Sequence, residues 1–281
     1  MTRSLFCALA LLCVPAAAIA QQRPLVTEDP ETVGAGRMLI EGGFDYGADY
    51  KFTASGLEGP MLRVPLIGIS VGLSSIAEVQ IDGGFYNRLK ITSRDPLAPL
   101  AGMVTATDDT TSDVEDIVIG TKIKLVPEGV YSPSWGFRFA TRLPNASNES
   151  GIGLDTTNFY ASALGAKTIN RVRIVGNLGF AILGDPTRGD RQNDVLTYGA
   201  SFARALTAAI EAVGEVNGHV DTRNGQPPPG TESRSMVRLG ARYTFGSWRA
   251  DGAMLFGLTD SDPGFGVAAG FTYVFKAFEI P

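Results

Sequence analysis

The chain has 281 residues, 19% of them charged, and a formal net charge of −5 at pH 7. The charged fraction is below the roughly 25% that is typical of soluble domains, and the acidic balance argues against a nucleic-acid partner. Both cysteines, Cys7 and Cys13, lie near the N-terminus. We therefore expect no disulfide, thiol nucleophile or thiolate metal site in the rest of the chain.

The first predicted element is a secretory signal peptide at residues 1–20. Arg3 gives a basic start, residues 5–14 are apolar, and Ala18 and Ala20 form the small-x-small pattern that precedes a cleavage site. The apolar stretch is too short for a permanent membrane helix. The sequence therefore predicts an exported precursor.

A polar segment follows at residues 21–35, with two prolines and three acidic residues. Residues 36–281 then alternate between large apolar residues and small or polar ones. In the last such stretch, Phe265, Phe271 and Tyr273 share one face, and Gly266 lies on the other. Alternation over about ten residues is typical of a membrane strand with one lipid face and one lumen face.

This alternation predicts an all-β fold, a transmembrane antiparallel up-and-down β-barrel of about twelve strands. The predicted strands are 36–46, 61–73, 75–90, 114–125, 134–143, 156–168, 170–183, 194–205, 207–220, 233–245, 247–258 and 264–275. The second and sixth alternate poorly, and Pro65 removes a ladder hydrogen bond from the second. Pro65 marks either a simple strand irregularity or a kink that opens the wall to lipid.

After residue 20, no run approaches the roughly 18 apolar residues that a membrane helix needs. A closed barrel is the other spanning structure that satisfies its backbone. A soluble lipocalin-like barrel or β-sandwich also alternates, but its apolar face points into a core. Here one face carries the large apolar groups and the other carries charge and glycine, which favours the membrane barrel.

The connections between predicted strands alternate between long and short. Outer-membrane barrels place long loops outside and short turns in the periplasm, so an even strand number predicts that both termini are periplasmic. The long links are 47–60, 91–113, 144–155, 184–193, 221–232 and 259–263. Residues 21–35 then either hang in the periplasm or fold into the barrel as a plug. Outward aromatic residues at the predicted periplasmic strand ends form an interfacial girdle: Trp135, Phe137, Tyr243, Phe245, Trp248, Tyr273 and Phe275.

Three stretches carry a family resemblance: residues 24–46, residues 62–73 leading to Glu78, and Thr141-Arg-Leu-Pro144 before a Gly-rich loop. The chain resembles the outer-membrane barrels of the meta-pathway of phenol degradation, which are named as transporters. Members often have Pro-Thr-Gly after the fifth strand, where this chain has Pro-Asn-Ala. The resemblance implies a barrel that passes small aromatic or hydrophobic compounds, and it implies no catalytic residues.

The end of the chain also resembles the assembly signal of outer-membrane proteins. Gly270, Tyr273 and Phe275 give the pattern of glycine, aromatic and terminal aromatic, followed by an unusual tail from residue 276 to 281. The resemblance implies recognition by the barrel assembly machinery. The other expected partners are outer-membrane lipid, lipopolysaccharide and an unknown small-molecule solute.

Inward-facing charges are the candidate functional residues, and they are sorted by sign. The acidic sector is Glu41, Asp45, Glu78 and Asp82; the basic sector is Lys122, Lys124, Arg138, Arg142, Arg171 and Arg173. Glu211 and Glu215 are followed by Arg238 and Arg242, and a symmetric hairpin would pair Glu215 with Arg238 and Glu211 with Arg242. These charges either pair and plug the lumen or line a narrow water-filled pore.

Enzymatic chemistry has little support in the sequence. The single histidine, His219, lies on an inward face near the predicted outer rim, and no metal-ligand cluster occurs. We expect no cofactor and no metal. An acidic run between residues 108 and 115 is either a solvated outer loop or a site for a divalent cation between lipopolysaccharides.

The predicted function is passive transport of small molecules across the outer membrane. The alternative is a non-conducting structural or adhesive barrel whose outer loops bind partners. A continuous solvent path through the lumen would favour transport, and a lumen closed by the Glu/Arg pairs and the N-terminal segment would favour the structural role.

Overall fold

The computed structural model describes residues 23–279; the predicted signal peptide lies outside them. The strands are β1 Arg37–Phe52, β2 Leu57–Gly72, β3 Ala77–Gly84, β4 Asn87–Lys90, β5 Ser93–Arg94, β6 Thr110–Asp113, β7 Val118–Val126, β8 Ser134–Arg142, β9 Asn158–Ile169, β10 Val172–Gly184, β11 Gln192–Ala205, β12 Ile210–Asp221, β13 Arg234–Phe245, β14 Trp248–Gly257 and β15 Gly266–Lys276. Two short 3-10 turns occur at Ala101–Met103 and Asn148–Ser150. No helix in this described part is long and apolar enough to cross a membrane.

Twelve of these strands close into a barrel. Every neighbouring pair is antiparallel, and β3 pairs with β7 while β7 to β15 follow in sequence order. The ring closes at β1, where Gly43 lies opposite Leu66 of β2 and opposite Gly270 of β15. The predicted twelve-stranded antiparallel barrel is confirmed.

At the long-loop end, β1 and β2 extend beyond the ring, and the predicted ends of these two strands were wrong. Residues 47–60 were predicted as a loop, but β1 and β2 continue to Phe52 and Leu57 and leave a four-residue turn. Leu57 packs in a buried apolar cluster with Met61 and residues of the β4 region, which stabilises the longer hairpin. The short strands β4, β5 and β6 pair with this extension.

A β-bulge explains the poor alternation of the second predicted strand. Gly43 lies opposite Leu66, but two residues later Asp45 lies opposite Arg63, so β2 contains one extra residue at positions 64–65. A bulge shifts the two-residue period. Arg63 and Leu66 therefore both face inward, which simple alternation from one end of the strand does not predict.

The outer surface carries the large apolar side chains. Phe139, Phe159, Leu178, Phe180 and Met254 are each between 51% and 60% exposed. Aromatic rings cluster at the short-turn end, where Trp248 stacks on Tyr273 at 4.4 Å and Tyr273 on Phe275 at 5.4 Å, as in an interfacial girdle. The polar network lies on the opposite, inner face.

Candidate functional site

The N-terminal residues 23–33, named here the lumen segment, contact strands from several sides of the barrel. The backbone N–H groups of Val26 and Thr27 donate to Glu215 on β12, at 2.9 and 2.8 Å. The N–H of Glu28 donates to Asn177 on β10 at 2.7 Å, and that of Val33 donates to Glu78 on β3 at 2.6 Å. A segment that reaches all three strands lies inside the barrel. Of the two locations that the sequence left open, these contacts place the segment in the lumen.

Glu28 is the central charged contact of the lumen segment. It is 6% exposed and lies 3.3 Å from Nζ of Lys122 and 2.9 Å from Nε of Arg138. Lys122 also contacts Glu78 at 3.0 Å, and Gln80 donates to Glu28 at 3.3 Å. Glu28 therefore joins the acidic and basic sectors through a shared buried cluster.

Two further acids of the lumen segment contact the predicted basic sector. Asp29 lies 2.6 Å from Nε of Arg173, and Glu31 lies 3.0 Å from Nζ of Lys124. The basic residues of β7, β8 and β10 are therefore largely neutralised by the segment that crosses in front of them. This charge pairing fixes the segment against one side of the wall.

The short turn between β7 and β8 adds an acid to this network. Glu128 accepts hydrogen bonds from the N–H of Thr168 at 2.7 Å, from Lys167 at 2.9 Å and from Arg173 at 2.6 Å. Burial alone would raise the pKa of Glu128, but these donors and cations together lower it to about 2. Arg173 is thus held between Glu128 and Asp29.

The β12–β13 pairs follow the predicted register. Glu215 lies opposite Arg238 and Glu211 opposite Arg242, as the symmetric hairpin predicted. Arg238 donates to Glu215 at 2.8 Å, while Arg242 and Glu211 are 3.9 Å apart. Glu215 is therefore shared between its cross-strand arginine and the lumen segment.

The remaining acidic candidates also have partners on the wall. Glu41 accepts from Thr272 at 3.1 Å, and Asp82 lies 3.8 Å from Arg138. Asp45 is paired with Arg63, which the sequence analysis missed because the bulge reverses the face of that residue. Arg23 was missed as well; it donates to the carbonyl of Ala269 at 2.9 Å.

Two basic candidates lie at the ends of the barrel. Arg142 contacts Asp116 at 2.8 Å, near the long loops. Arg171 was predicted to face the lumen from a strand, and that placement was wrong. It is an exposed residue in the β9–β10 turn with φ of 71°. Turn geometry, which strand alternation does not describe, directs its backbone there.

The inner face encloses several cavities. One of about 250 Å³ is lined by Arg142, Tyr160, His219 and Arg234, among others. A second, of about 400 Å³, borders the lumen segment at Leu25 and Glu28 and also reaches Tyr160, and a third, of about 220 Å³, borders the segment at Glu28. Nε2 of His219 lies 2.8 Å from the carbonyl oxygen of Glu232. Within residues 23–279, no group of three His, Cys, Asp or Glu side chains could hold a metal ion.

The closed strand ring, the lipid-type outer face and the charged lumen define an outer-membrane β-barrel. The family described as "Putative MetA-pathway of phenol degradation" matches residues 22–275, and the chain belongs to this family.

A solved structure shows the same fold. The chain is similar to the COG4313 outer membrane channel from Pseudomonas putida F1, with 12% identity and a TM-score of 0.57, over 88% of this chain and 98% of that one. It is also similar to the translocator domain of the autotransporter NalP from Neisseria meningitidis, with 14% identity and a TM-score of 0.48, over 86% and 89% of the two chains. No curated protein sequence matched the chain.

Proposed function

We propose that the barrel carries small molecules passively across the outer membrane. The observation that carries this proposal is the unfilled lumen. Side chains of a modest barrel can fill its interior completely, yet cavities of about 250 and 400 Å³ remain inside it, the larger of these two beside the lumen segment. Membership in a family named for phenol degradation supports small aromatic or hydrophobic compounds as the solutes.

In this proposal the long loops face the exterior and both termini face the periplasm, following the usual asymmetry of such barrels. The lumen segment then lies in the periplasmic half. Assembly machinery that recognises Gly270, Tyr273 and Phe275 inserts the chain among outer-membrane lipid and lipopolysaccharide after cleavage at residue 20. We propose no enzymatic role.

A second candidate is a non-conducting structural or adhesive barrel. The observation that favours it is the density of contacts around the lumen segment, whose acids Glu28, Asp29 and Glu31 are all paired with wall cations. In this candidate the segment is a permanent plug, and the outer loops bind envelope components.

Conduction distinguishes the two candidates. Proteoliposomes containing the purified mature chain are challenged with arabinose, sodium benzoate and glycerol, and single-channel steps are recorded in planar bilayers. Transport predicts swelling above protein-free liposomes for at least one solute, together with discrete current steps. Folded protein that produces neither would refute the transport proposal and support the structural candidate.

A further inference from the structure

The 250 Å³ cavity lies at the long-loop end of the barrel and is named here the mouth cavity. Its lining has four basic residues and two acidic ones, so it attracts anions. Arg63 and Arg142 are each paired with an acid of that lining, at 3.1 and 2.8 Å. Arg234 differs from them, because no carboxylate oxygen of the described residues 23–279 lies within 4.0 Å of its guanidinium. The mouth cavity therefore contains one arginine with which an external anion can pair.

Arg234 is directed into the cavity by its strand. It lies at the start of β13, opposite His219 of β12, and four residues before Arg238, so strand alternation turns both arginines toward the lumen. Its Nη2 donates to the carbonyl of Lys51 at 3.5 Å, which is a long hydrogen bond. In the described part of the chain, Nε and Nη1 have no hydrogen-bond partner. A guanidinium has five N–H donors in a fork that matches a carboxylate, and most of those of Arg234 are available to a ligand.

The tip of the β1–β2 hairpin leans across this end of the barrel. The hydroxyl of Thr53 donates to Glu232 at 2.6 Å and accepts from the N–H of Gly230 at 2.9 Å. The hydroxyl of Ser55 donates to the carbonyl of Gly151 at 2.5 Å. These contacts reach loops on two other sides of the mouth, so the hairpin partly covers the cavity. Ion pairs are stronger where bulk water is partly excluded.

The same lining contains aromatic and aliphatic side chains. The rings of Tyr50 and Phe52 are stacked with their centroids 6.3 Å apart, and Leu183 adds aliphatic surface. Tyr160 lines the mouth cavity and also the two cavities that border the lumen segment, so the three spaces adjoin at this side chain. Such a lining favours a flat apolar ring.

A buried amide of the lining also lacks a partner. Asn87, the first residue of β4, is 7% exposed, and its Oδ1 has no hydrogen-bond partner among the residues that the structure describes. The large majority of buried polar atoms in folded proteins are paired. A hydroxyl group of a bound molecule can satisfy this acceptor. Asn87 is thus a second observation, independent of Arg234, that indicates a ligand with polar groups.

We propose that the mouth cavity binds single-ring aromatic carboxylates, with the carboxylate on Arg234 and the ring against the apolar part of the lining. A cavity of about 150 Å³ holds benzene, so about 250 Å³ has room for a benzoate. Hydrogen bonds between arginine and a carboxylate are among the strongest in proteins. An uncharged ring leaves Arg234 unpaired, and acetate leaves the apolar lining empty, so the two parts of the ligand contribute together. The proposal names a solute class for the proposed transport function and, as an entry site for transport, rests on it.

Calorimetric titration of the purified mature chain in detergent micelles tests the site. The ligands are sodium benzoate, benzyl alcohol, which keeps the ring and has no charge, and sodium acetate, which keeps the charge and has no ring. Arg234→Gln removes the proposed anchor. Arg223→Gln is the matched control, because Arg223 is exposed in the β12–β13 loop and the charge change is identical.

We expect benzoate to bind the unmodified chain saturably at one site, and benzyl alcohol and acetate to bind at least about tenfold more weakly. Arg234→Gln should weaken benzoate binding by roughly tenfold or more, since a neutral amide replaces the charged fork, and should leave benzyl alcohol binding unchanged. Arg223→Gln should bind all three ligands like the unmodified chain.

The outcomes separate this site from the transport proposal when swelling of proteoliposomes is measured on the same proteins. Benzoate that binds no more tightly than benzyl alcohol, or equally in Arg234→Gln and Arg223→Gln, would overturn the site, and swelling with arabinose would show that transport still stands. Saturable benzoate binding by a chain that gives neither swelling nor current steps would refute transport, and with it the role of the site in uptake.

A cavity-filling variant covers the case in which Arg234→Gln does not fold. Leu154 lies in the loop before β9 and lines the mouth cavity, so Leu154→Trp should reduce its volume and weaken benzoate binding. Leu97→Trp is the control, because Leu97 is 89% exposed and lies outside that lining. Equal benzoate affinity in these two variants would also overturn the site.

Discussion

Glu28→Gln should release the lumen segment and open the barrel along its axis. The substitution keeps the size of the side chain and removes its charge. Glu28 lies 3.3 Å from Lys122 and 2.9 Å from Arg138, and it is 6% exposed, so water screens neither contact well. The wall itself stays balanced, because Lys122 keeps Glu78 at 3.0 Å. The change therefore acts mainly on the docking of the segment.

The size of the effect follows from the two contacts. Lys122 and Arg138 contact different oxygens of Glu28, and glutamine has only one acceptor oxygen, so one of these hydrogen bonds to a charged group is lost, at about 1.5–3 kcal/mol. This loss shifts the equilibrium between docked and released segment by roughly 10- to 140-fold.

Planar-bilayer recording measures this shift as the fraction of time spent in the high-conductance state. Glu58→Gln is the matched control, because Glu58 is an exposed residue at the start of β2 and the charge change is identical. We expect the open fraction to rise for Glu28→Gln and to stay at the unmodified level for Glu58→Gln. A correctly folded Glu28→Gln barrel with an unchanged open fraction would show that the ion pairs do not hold the segment in place.

Three further predictions concern stability and assembly. Lys122→Met leaves the buried carboxylate of Glu78 without its cation and Glu28 with Arg138 alone, and it should cost about 3–5 kcal/mol in urea unfolding from lipid vesicles; a loss no larger than that of Lys51→Met contradicts this. The pKa of Glu128 is lowered to about 2. Its contribution to the stability of the folded protein is therefore complete above its usual pKa and is lost as pH falls from about 4 toward 2. Over that pH range the amide of Thr168 should lose protection from hydrogen exchange, after correction for the intrinsic exchange rate. Glu128→Gln should remove this pH dependence. An equal loss of protection in both proteins would exclude Glu128 as the cause. Phe275→Ala should lower the heat-modifiable folded fraction in outer membranes, whereas a chain ending directly after Phe275 should assemble normally; equal folded fractions would argue against the assembly signal.

The strand ring was predictable because its physics is local to each strand. One face meets lipid and the other meets the lumen, so residues such as Leu178 and Phe180 repeat every second position. The pattern failed where an extra residue enters, at positions 64–65 of β2, and where strands extend beyond the membrane to Phe52 and Leu57. In these places, backbone pairing and the apolar cluster around Leu57 stabilise the strands, and contact with lipid does not.

The charged site was predictable only where register determines it. Glu215 and Arg238 are opposed because a hairpin fixes its own partners. Lys122 was recognised as an inward charge, but its partner Glu28 lies 94 residues away in an aperiodic segment. No spacing rule connects the two residues, since the contact depends on how residues 23–33 fold back into the closed barrel.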